Sequence, residues 1–124
     1  GAFGGGIGGT GNICGALVGA VSVLGTMYSR SSLDGKENPR MWNATKIVMK
    51  NFQDMTDEYG GINCCQIARV DWMERDQVKD FYGNPESRRQ HCVRVVGETA
   101  RALGELLEQE AERMAAKQAE GEKK

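Results

Sequence analysis

A mainly apolar run near the start of the chain dominates its hydrophobic pattern. The run extends from Ile13 to Tyr28 and is interrupted by Gly15, Gly19 and Gly25. It is shorter than the ~20 consecutive apolar residues that a membrane-spanning helix needs. We therefore predict a helix buried in a protein core, and no membrane span.

A second helix is predicted after a polar, turn-rich stretch at residues 29–39. Asn38 is expected to cap this helix and Pro39 to occupy its first turn. Gly60 and Gly61 then end it. Its apolar residues recur at steps of four, three and four, which places them on one helical face. These residues are Val48, Phe52, Met55 and Tyr59.

The rest of the chain predicts one short and one long helix. Asn63 can cap a short helix that begins at Cys64, whereas residues 71–82 are expected to be irregular or a short surface helix. Asn84 and Pro85 then begin a helix that runs to about Lys117. Its expected buried stripe comprises Cys92, Val96, Thr99, Ala100, Leu103, Leu106, Leu107 and Met114. A charged, frayed tail is expected over residues 112–124.

No segment shows the alternation of apolar and polar residues that is typical of a strand. We predict one all-α domain over residues 1–124, a small bundle of about four helices with a glycine-rich N-terminal loop. The formal net charge of −1 argues against a nucleic-acid partner. Because the chain begins inside a glycine run and without Met, we expect it to be the C-terminal part of a longer protein.

The glycine run over the first eleven residues predicts a turn shaped by the backbone, because glycine alone reaches positive φ freely. Gly6, Gly8 and Gly11 are candidate cofactor-binding positions, since N–H groups of such a turn can donate to a bound group. The run also contains the GxGxxG pattern of dinucleotide sites. No strand precedes it and no βαβ unit surrounds it, so we do not predict nucleotide binding.

Cysteines are the main candidates for chemistry, at Cys14, Cys64, Cys65 and Cys92. Cys14 and Cys64 are expected in the first turns of two helices, where the helix dipole and free N–H groups favour a thiolate. Cys92 is expected on the buried face of a third helix. Thiols on three helices can converge on a metal or an iron–sulfur cluster, yet free cysteines also serve as small apolar core residues. His91 lies in a polar stretch and is expected at the surface rather than as an iron or haem ligand.

Several of these segments resemble the C_GCAxxG_C_C family of redox-active proteins. The resemblance rests on Gly4-Gly5-Gly6-Ile7-Gly8, Cys14-Gly15-Ala16-Leu17-Val18-Gly19-Ala20, Gly61-Ile62-Asn63-Cys64 and Cys92, and it covers about residues 3–107. It implies a helical redox module whose functional positions are Cys14, Cys64 and Cys92. The first cysteine of the family would lie upstream of Gly1. Cys65 is an additional cysteine that either replaces this missing ligand or is a bystander.

The resemblance extends to split-Soret cytochrome c, whose same module implies an iron-containing centre beside c-type haems. This chain has no haem-attachment motif, so we expect no covalent haem. Our first interpretation is an electron-transfer module that holds an iron–sulfur centre through Cys14, Cys64 and Cys92, with Cys65 or an upstream cysteine as fourth ligand. One alternative is a thiol–disulfide redox protein that pairs Cys14 with Cys64 or Cys92. Another is a structural subunit of a redox complex.

The expected partners are redox proteins, and the expected assembly is a homodimer or a larger complex. Gly11, Gly15 and Gly19 recur every four residues and form a small-residue face. Together with the leucines of the long helix, this face offers more close-packing surface than four short helices need.

Overall fold

The computed structural model describes residues 1–122 and confirms the all-α fold. Three long helices and two short ones follow one another in the described part of the chain. They are α1 (Gly15–Tyr28), α2 (Met41–Thr56), α3 (Cys64–Ile67), α4 (Arg75–Gly83) and α5 (Arg89–Glu122), with a 3-10 turn (Asp57–Tyr59) after α2. None of these helices is both long and apolar enough to cross a membrane.

The core forms where the three long helices α1, α2 and α5 pack against one another. Leu24, Phe52 and Val95 are at most 1% exposed in its centre. Burial on α2 recurs every four residues, at Ala44, Val48, Phe52 and Thr56. The predicted position Met55 is only partly buried, whereas Thr56 is buried because its hydroxyl donates to the Phe52 carbonyl oxygen at 2.7 Å. A satisfied hydroxyl can thus occupy a core position that a purely apolar pattern overlooks.

The long helix α5 is rotated relative to the predicted stripe. Val95 is fully buried, whereas the predicted core residue Val96 is 55% exposed, as is Met114. The buried positions are Val95, Thr99, Leu106 and Glu110. Thr99 donates its hydroxyl proton to the Val95 carbonyl oxygen at 2.6 Å, so this polar side chain also fits the core. The first two positions of the observed stripe, Cys92 and Val95, are therefore three residues apart, whereas the predicted positions Cys92 and Val96 are four apart.

Glu110 is a buried carboxylate that the apolar pattern does not reveal. Its side chain is 5% exposed and is held by the Arg40 guanidinium, with donor–acceptor distances of 2.8 and 3.2 Å. The hydrogen bond from Arg40 lowers the pKa of Glu110 and outweighs the opposing effect of burial. This pair joins the start of α2 to the middle of α5.

The end of α5 extends beyond the core. The helix continues to Glu122, and the side chains of residues 111–122 are all exposed. A frayed tail over residues 112–124 stays a prediction, and Lys123 and Lys124 lie outside the described residues.

Three helix starts differ from the predictions. Cys14, expected in a first helical turn, precedes α1 and makes no side-chain capping bond. α2 begins at Met41 and not at Pro39, because Asn38 is engaged in a turn that accepts the N–H groups of Arg40 and Met41. α5 begins at Arg89 and not at Pro85, because Asn84 is engaged in a turn that accepts the N–H groups of Glu86 and Ser87. The differences at α2 and α5 arise because the asparagine bonds in a local turn instead of capping the helix.

Gly15 and Gly19 do not form the continuous small-residue face that their spacing predicts. A Cβ on Gly15 would lie 2.9 Å from the carbonyl oxygen of Phe3, so the N-terminal loop covers this position. Nothing lies within 4 Å of a Cβ on Gly19. Gly11 belongs to the loop and not to α1.

Candidate functional site

The glycine-rich loop forms a left-handed turn, as the sequence predicts. Residues 5–9 all have φ between +61° and +74°, and Gly11 has φ +74°. Only one of these residues, Ile7, carries a side chain, and its backbone is therefore strained. Backbone bonds close the turn, for example from the N–H of Asn12 to the carbonyl oxygen of Gly6 at 3.0 Å.

The loop leads into a short antiparallel bridge that brings two cysteines together. Ile13 pairs with Asn63. The Cys14 N–H donates to the Ile62 carbonyl oxygen at 3.0 Å, and the Cys64 N–H donates to the Asn12 carbonyl oxygen at 2.6 Å. Since side chains alternate along extended segments, Cys14 and Cys64, each one residue after the paired residues, lie on the same side of the bridge. They are diagonal neighbours, for which a Cα separation of about 7–8 Å is typical.

Cys64 lies under the glycine loop and is 8% exposed. A Cβ on Gly6 would lie 2.6 Å from the Cβ of Cys64, so only glycine lets the loop approach this cysteine. The Trp72 indole Nε1–H donates to the Cys64 Sγ at 3.4 Å. Burial raises the pKa of the Cys64 thiol, and the Trp72 hydrogen bond opposes that change.

Cys92 is the third thiol at this junction. It lies in the first turn of α5 and packs against both the helix core and the smaller cluster around Cys64. Burial raises the pKa of Cys92 to about 11, and the neighbouring Cys14 and Cys64 thiolates contribute to this increase. The structure therefore brings Cys14, Cys64 and Cys92 within electrostatic reach of one another.

Cys65 is separated from this group although it is adjacent to Cys64 in sequence. Its residue is exposed, and its N–H donates to the Gly11 carbonyl oxygen at 3.0 Å. Successive residues of a helix point about 100° apart, which explains why Cys64 is buried and Cys65 is not. A role for Cys65 as a ligand stays a prediction.

The three glycines assigned to cofactor binding differ in their surroundings. The N–H of Gly8 donates to the Ala2 carbonyl oxygen at 2.8 Å, and that of Gly11 to Gly5 at 2.9 Å, so both groups are used within the loop. Gly6 contacts Cys64 through its open Cα position. Cofactor binding by Gly6, Gly8 and Gly11 stays a prediction, with Gly6 the nearest to the thiols.

Arg88 and Trp72 are site neighbours that the apolar pattern does not reveal. Arg88 precedes Cys92 by one helical turn, and its positive charge opposes the increase in the pKa of Cys92. Its Nε donates to the Ile67 carbonyl oxygen at 2.9 Å, while Nη2 is buried without a hydrogen-bond partner among residues 1–122. Because residues four apart lie on the same face of a helix, the sequence spacing could have indicated that Arg88 lies next to Cys92.

His91 is not a free surface residue as predicted, but is partly buried. Its Nδ1 lies 3.1 Å from the Tyr59 hydroxyl oxygen, which also accepts a bond from Arg94 Nη2 at 2.8 Å. The Tyr59 hydroxyl thus bonds to both His91 and Arg94 on α5. The histidine therefore anchors the end of α2 to α5.

The thiols are all free of disulfides. Within residues 1–122, no three His, Cys, Asp or Glu side chains are close enough together to hold one metal ion. Cys14, Cys64 and Cys92 come from three segments of the chain and lie near one another.

The fold and the site together define a small all-α protein in which three cysteines lie near one another beside a glycine-rich turn. The family model described as "Putative redox-active protein (C_GCAxxG_C_C)" matches residues 1–106. The chain belongs to this family of redox-active proteins, which confirms the resemblance seen in the sequence. No curated protein and no solved structure matches the chain.

Proposed function

We propose that this protein is an electron-transfer module that holds an iron–sulfur centre through Cys14, Cys64 and Cys92. The observation that carries the proposal is the proximity of Cys14 just before α1, Cys64 in α3 and Cys92 in α5, beside the glycine-rich loop. Such a centre, when bound, supplies one-electron redox chemistry. The chain's own residues would position the thiolates, exclude water from Cys64 and donate the Trp72 N–H to its sulfur.

The separation of the thiols supports a cluster rather than a direct disulfide. Cys14 and Cys64 are diagonal neighbours at a bridge, a relation for which Cα separations of about 7–8 Å are typical. Protein disulfides have Cα separations of roughly 4.4–6.8 Å, so a pair at that typical diagonal separation needs backbone movement to become bonded. The same distance is compatible with two ligands of different iron atoms.

Burial raises the pKa of the Cys64 thiol and brings that of Cys92 to about 11, which disfavours their thiolate forms unless a cation compensates the charge. A bound cation offsets this unfavourable burial of negative charge, and metal ligation releases the thiol protons. The fourth ligand in this proposal is Cys65 or a cysteine upstream of Gly1 in a longer protein.

The proposal is tested by iron and acid-labile sulfide analysis of anaerobically reconstituted protein. Wild-type protein should bind both and absorb visible light, whereas Cys14→Ser, Cys64→Ser and Cys92→Ser should each lose the centre. Cys65→Ser is the matched control, because it removes an exposed thiol next to Cys64. We expect it to retain most of the centre in any longer protein that contains the upstream cysteine.

A colourless wild-type protein without iron would refute the cluster. If its free thiols also fall by two on mild oxidation, the thiol–disulfide alternative with Cys14 and Cys64 or Cys92 would replace it. If the serine variants only lower stability, the cysteines are core residues of a structural subunit.

Assembly as a homodimer belongs to the same proposal. The exposed apolar side chains Val93, Val96 and Met114 lie along α5 and support a helix-to-helix contact. Light scattering at micromolar concentration should give twice the chain mass, and Val96→Glu should reduce it. A monomer under these conditions would refute the homodimer and leave redox proteins as the expected partners.

A further inference from the structure

Trp72 lies between the thiol site and the protein surface. A Cβ on Gly5 would lie 3.2 Å from both Cδ1 and Nε1 of the indole, so the glycine loop is shaped to admit this ring. The same Nε1 donates to the Cys64 Sγ at 3.4 Å. The left-handed turn therefore holds an aromatic ring directly on a candidate ligand sulfur.

A chain of aromatic contacts continues from Trp72 to the surface. Trp72 meets Phe81 edge to face, with ring centroids 5.1 Å apart, and Phe81 meets Tyr82 in the same manner at 5.1 Å. The Trp72 and Tyr82 centroids are 6.4 Å apart. Phe81 is buried and Tyr82 is 59% exposed, so the contacts join the buried sulfur to an open face of α4.

Charges on α4 are segregated around this aromatic face. Arg75 and Lys79, one helical turn apart, line the same shallow groove as Trp72 and Tyr82. Asp76 and Asp80 line a different groove on the other side of the helix. Arg89 adds a third cation, with its guanidinium carbon 5.5 Å from the centre of the Tyr82 ring.

The geometry points to the surface formed by Trp72 and the adjoining face of α4 with Tyr82 as the docking surface for an acidic one-electron carrier protein. This inference rests on the proposed iron–sulfur centre, for which it names the partner class and the place of contact. In the exchange, the reduced carrier loses one electron and the centre gains one, with no bond made or broken. Cations around an exposed aromatic patch match an acidic partner, and charge steering suits the small interfaces of transient redox encounters.

The local charge is tested without any bound centre. Trp42→Phe leaves Trp72 as the single tryptophan, and its fluorescence is quenched with iodide or with caesium ions. Iodide should quench more efficiently than caesium, and Arg75→Glu with Lys79→Glu should reverse this preference. The double variant Arg75→Gln, Lys79→Gln should give an intermediate result. Because it removes the two charges without reversing them, it keeps the test valid if the Arg75→Glu, Lys79→Glu variant misfolds. Lys46→Glu with Lys50→Glu is the matched control, with the same spacing and charge change on α2.

The docking is tested with reduced plant-type [2Fe–2S] ferredoxin as an acidic probe. Electron transfer to the reconstituted protein, followed by stopped-flow absorbance, should slow by about tenfold or more in the Arg75→Glu, Lys79→Glu variant and at high salt. The Lys46→Glu, Lys50→Glu control should stay within about twofold of wild type by the same electrostatic argument. A coloured protein whose rate is equal in both variants would overturn the inference. A protein that acquires no colour refutes the proposed centre instead, and unchanged iodide preference in the first test overturns the charged surface itself.

Discussion

Gly6 is the position at which fold and site can be perturbed most directly. Gly6→Ala adds one methyl group to a residue with φ +72°, where an L-residue is strained. The new Cβ would lie 2.6 Å from the Cβ of Cys64 and 2.6 Å from both the backbone nitrogen and oxygen of Asn12. Because two of these neighbours are backbone atoms, the overlap cannot be relieved by a side-chain rotation.

The size of the effect follows from two additive costs. The left-handed backbone costs about 1–2 kcal/mol for a non-glycine residue. Overpacking against Cys64 and Asn12 costs about 1–3 kcal/mol more. Gly8→Ala is the matched control, because Gly8 has φ +63° but nothing within 4 Å of its Cβ. It should lose only the backbone part, about 1–2 kcal/mol.

Urea unfolding of the metal-free protein measures these free energies, and anaerobic reconstitution measures the iron content. Gly6→Ala should be less stable than Gly8→Ala by about 1–3 kcal/mol, a substantial part of the 5–15 kcal/mol that is typical of domains. It should also bind less iron, because Cys64 is displaced. Equal unfolding free energies and equal iron contents in the two variants would refute the close approach of the loop to Cys64.

Three further predictions concern charge and thiol chemistry. Glu110→Gln should lower the free energy of unfolding at pH 7, because it removes the carboxylate that Arg40 holds. Since Arg40 lowers the folded-state pKa of Glu110, the stability difference between wild type and variant should persist down to about pH 4.3. It should vanish as pH falls through that lowered pKa, which thermal unfolding at several pH values would show. Alkylation of Cys92 by iodoacetamide should be very slow at pH 7 and rise about tenfold per pH unit toward its pKa of about 11, measured by peptide mass spectrometry, and a flat profile would contradict its burial. Trp72→Phe should slow alkylation of Cys64 further, because the indole hydrogen bond lowers the pKa of that thiol; unchanged or faster alkylation would argue against this bond.

The helices of this protein were predictable because their apolar residues recur with helical spacing. α1 and α2 agree closely with the sequence pattern, and Asn63 begins α3 as expected, its N–H donating to Gln66 Oε1 at 3.0 Å. The register of α5 was predicted wrongly at Val96, since Thr99 and Glu110 are buried through bonds to other groups. Polar residues with satisfied bonding groups are invisible to a pattern that counts only apolar positions.

The candidate site was predictable in its residues but not in its assembly. Helical periodicity placed Cys92 toward the core, and Asn63 placed Cys64 at a helix start. The bridge between Ile13 and Asn63 joins residues that are distant in sequence, so no local pattern reveals it. The contact of Trp72 with Cys64 is missing from the prediction for a related reason, because residues 71–82 carry only a few apolar anchors.

The same glycine loop therefore determines both the local fold and the thiol geometry. α3 has only four residues, too few to be a stable helix on its own. Its position depends on the Cys64 and Cys65 N–H groups, which donate to carbonyl oxygens of Asn12 and Gly11 at the end of the loop. Because the loop fixes α3 and also admits Trp72 beside Gly5, any change that opens the turn should displace Cys64 and its indole donor together. The density of glycine in this segment thus has a structural cause that leads directly to the candidate redox site.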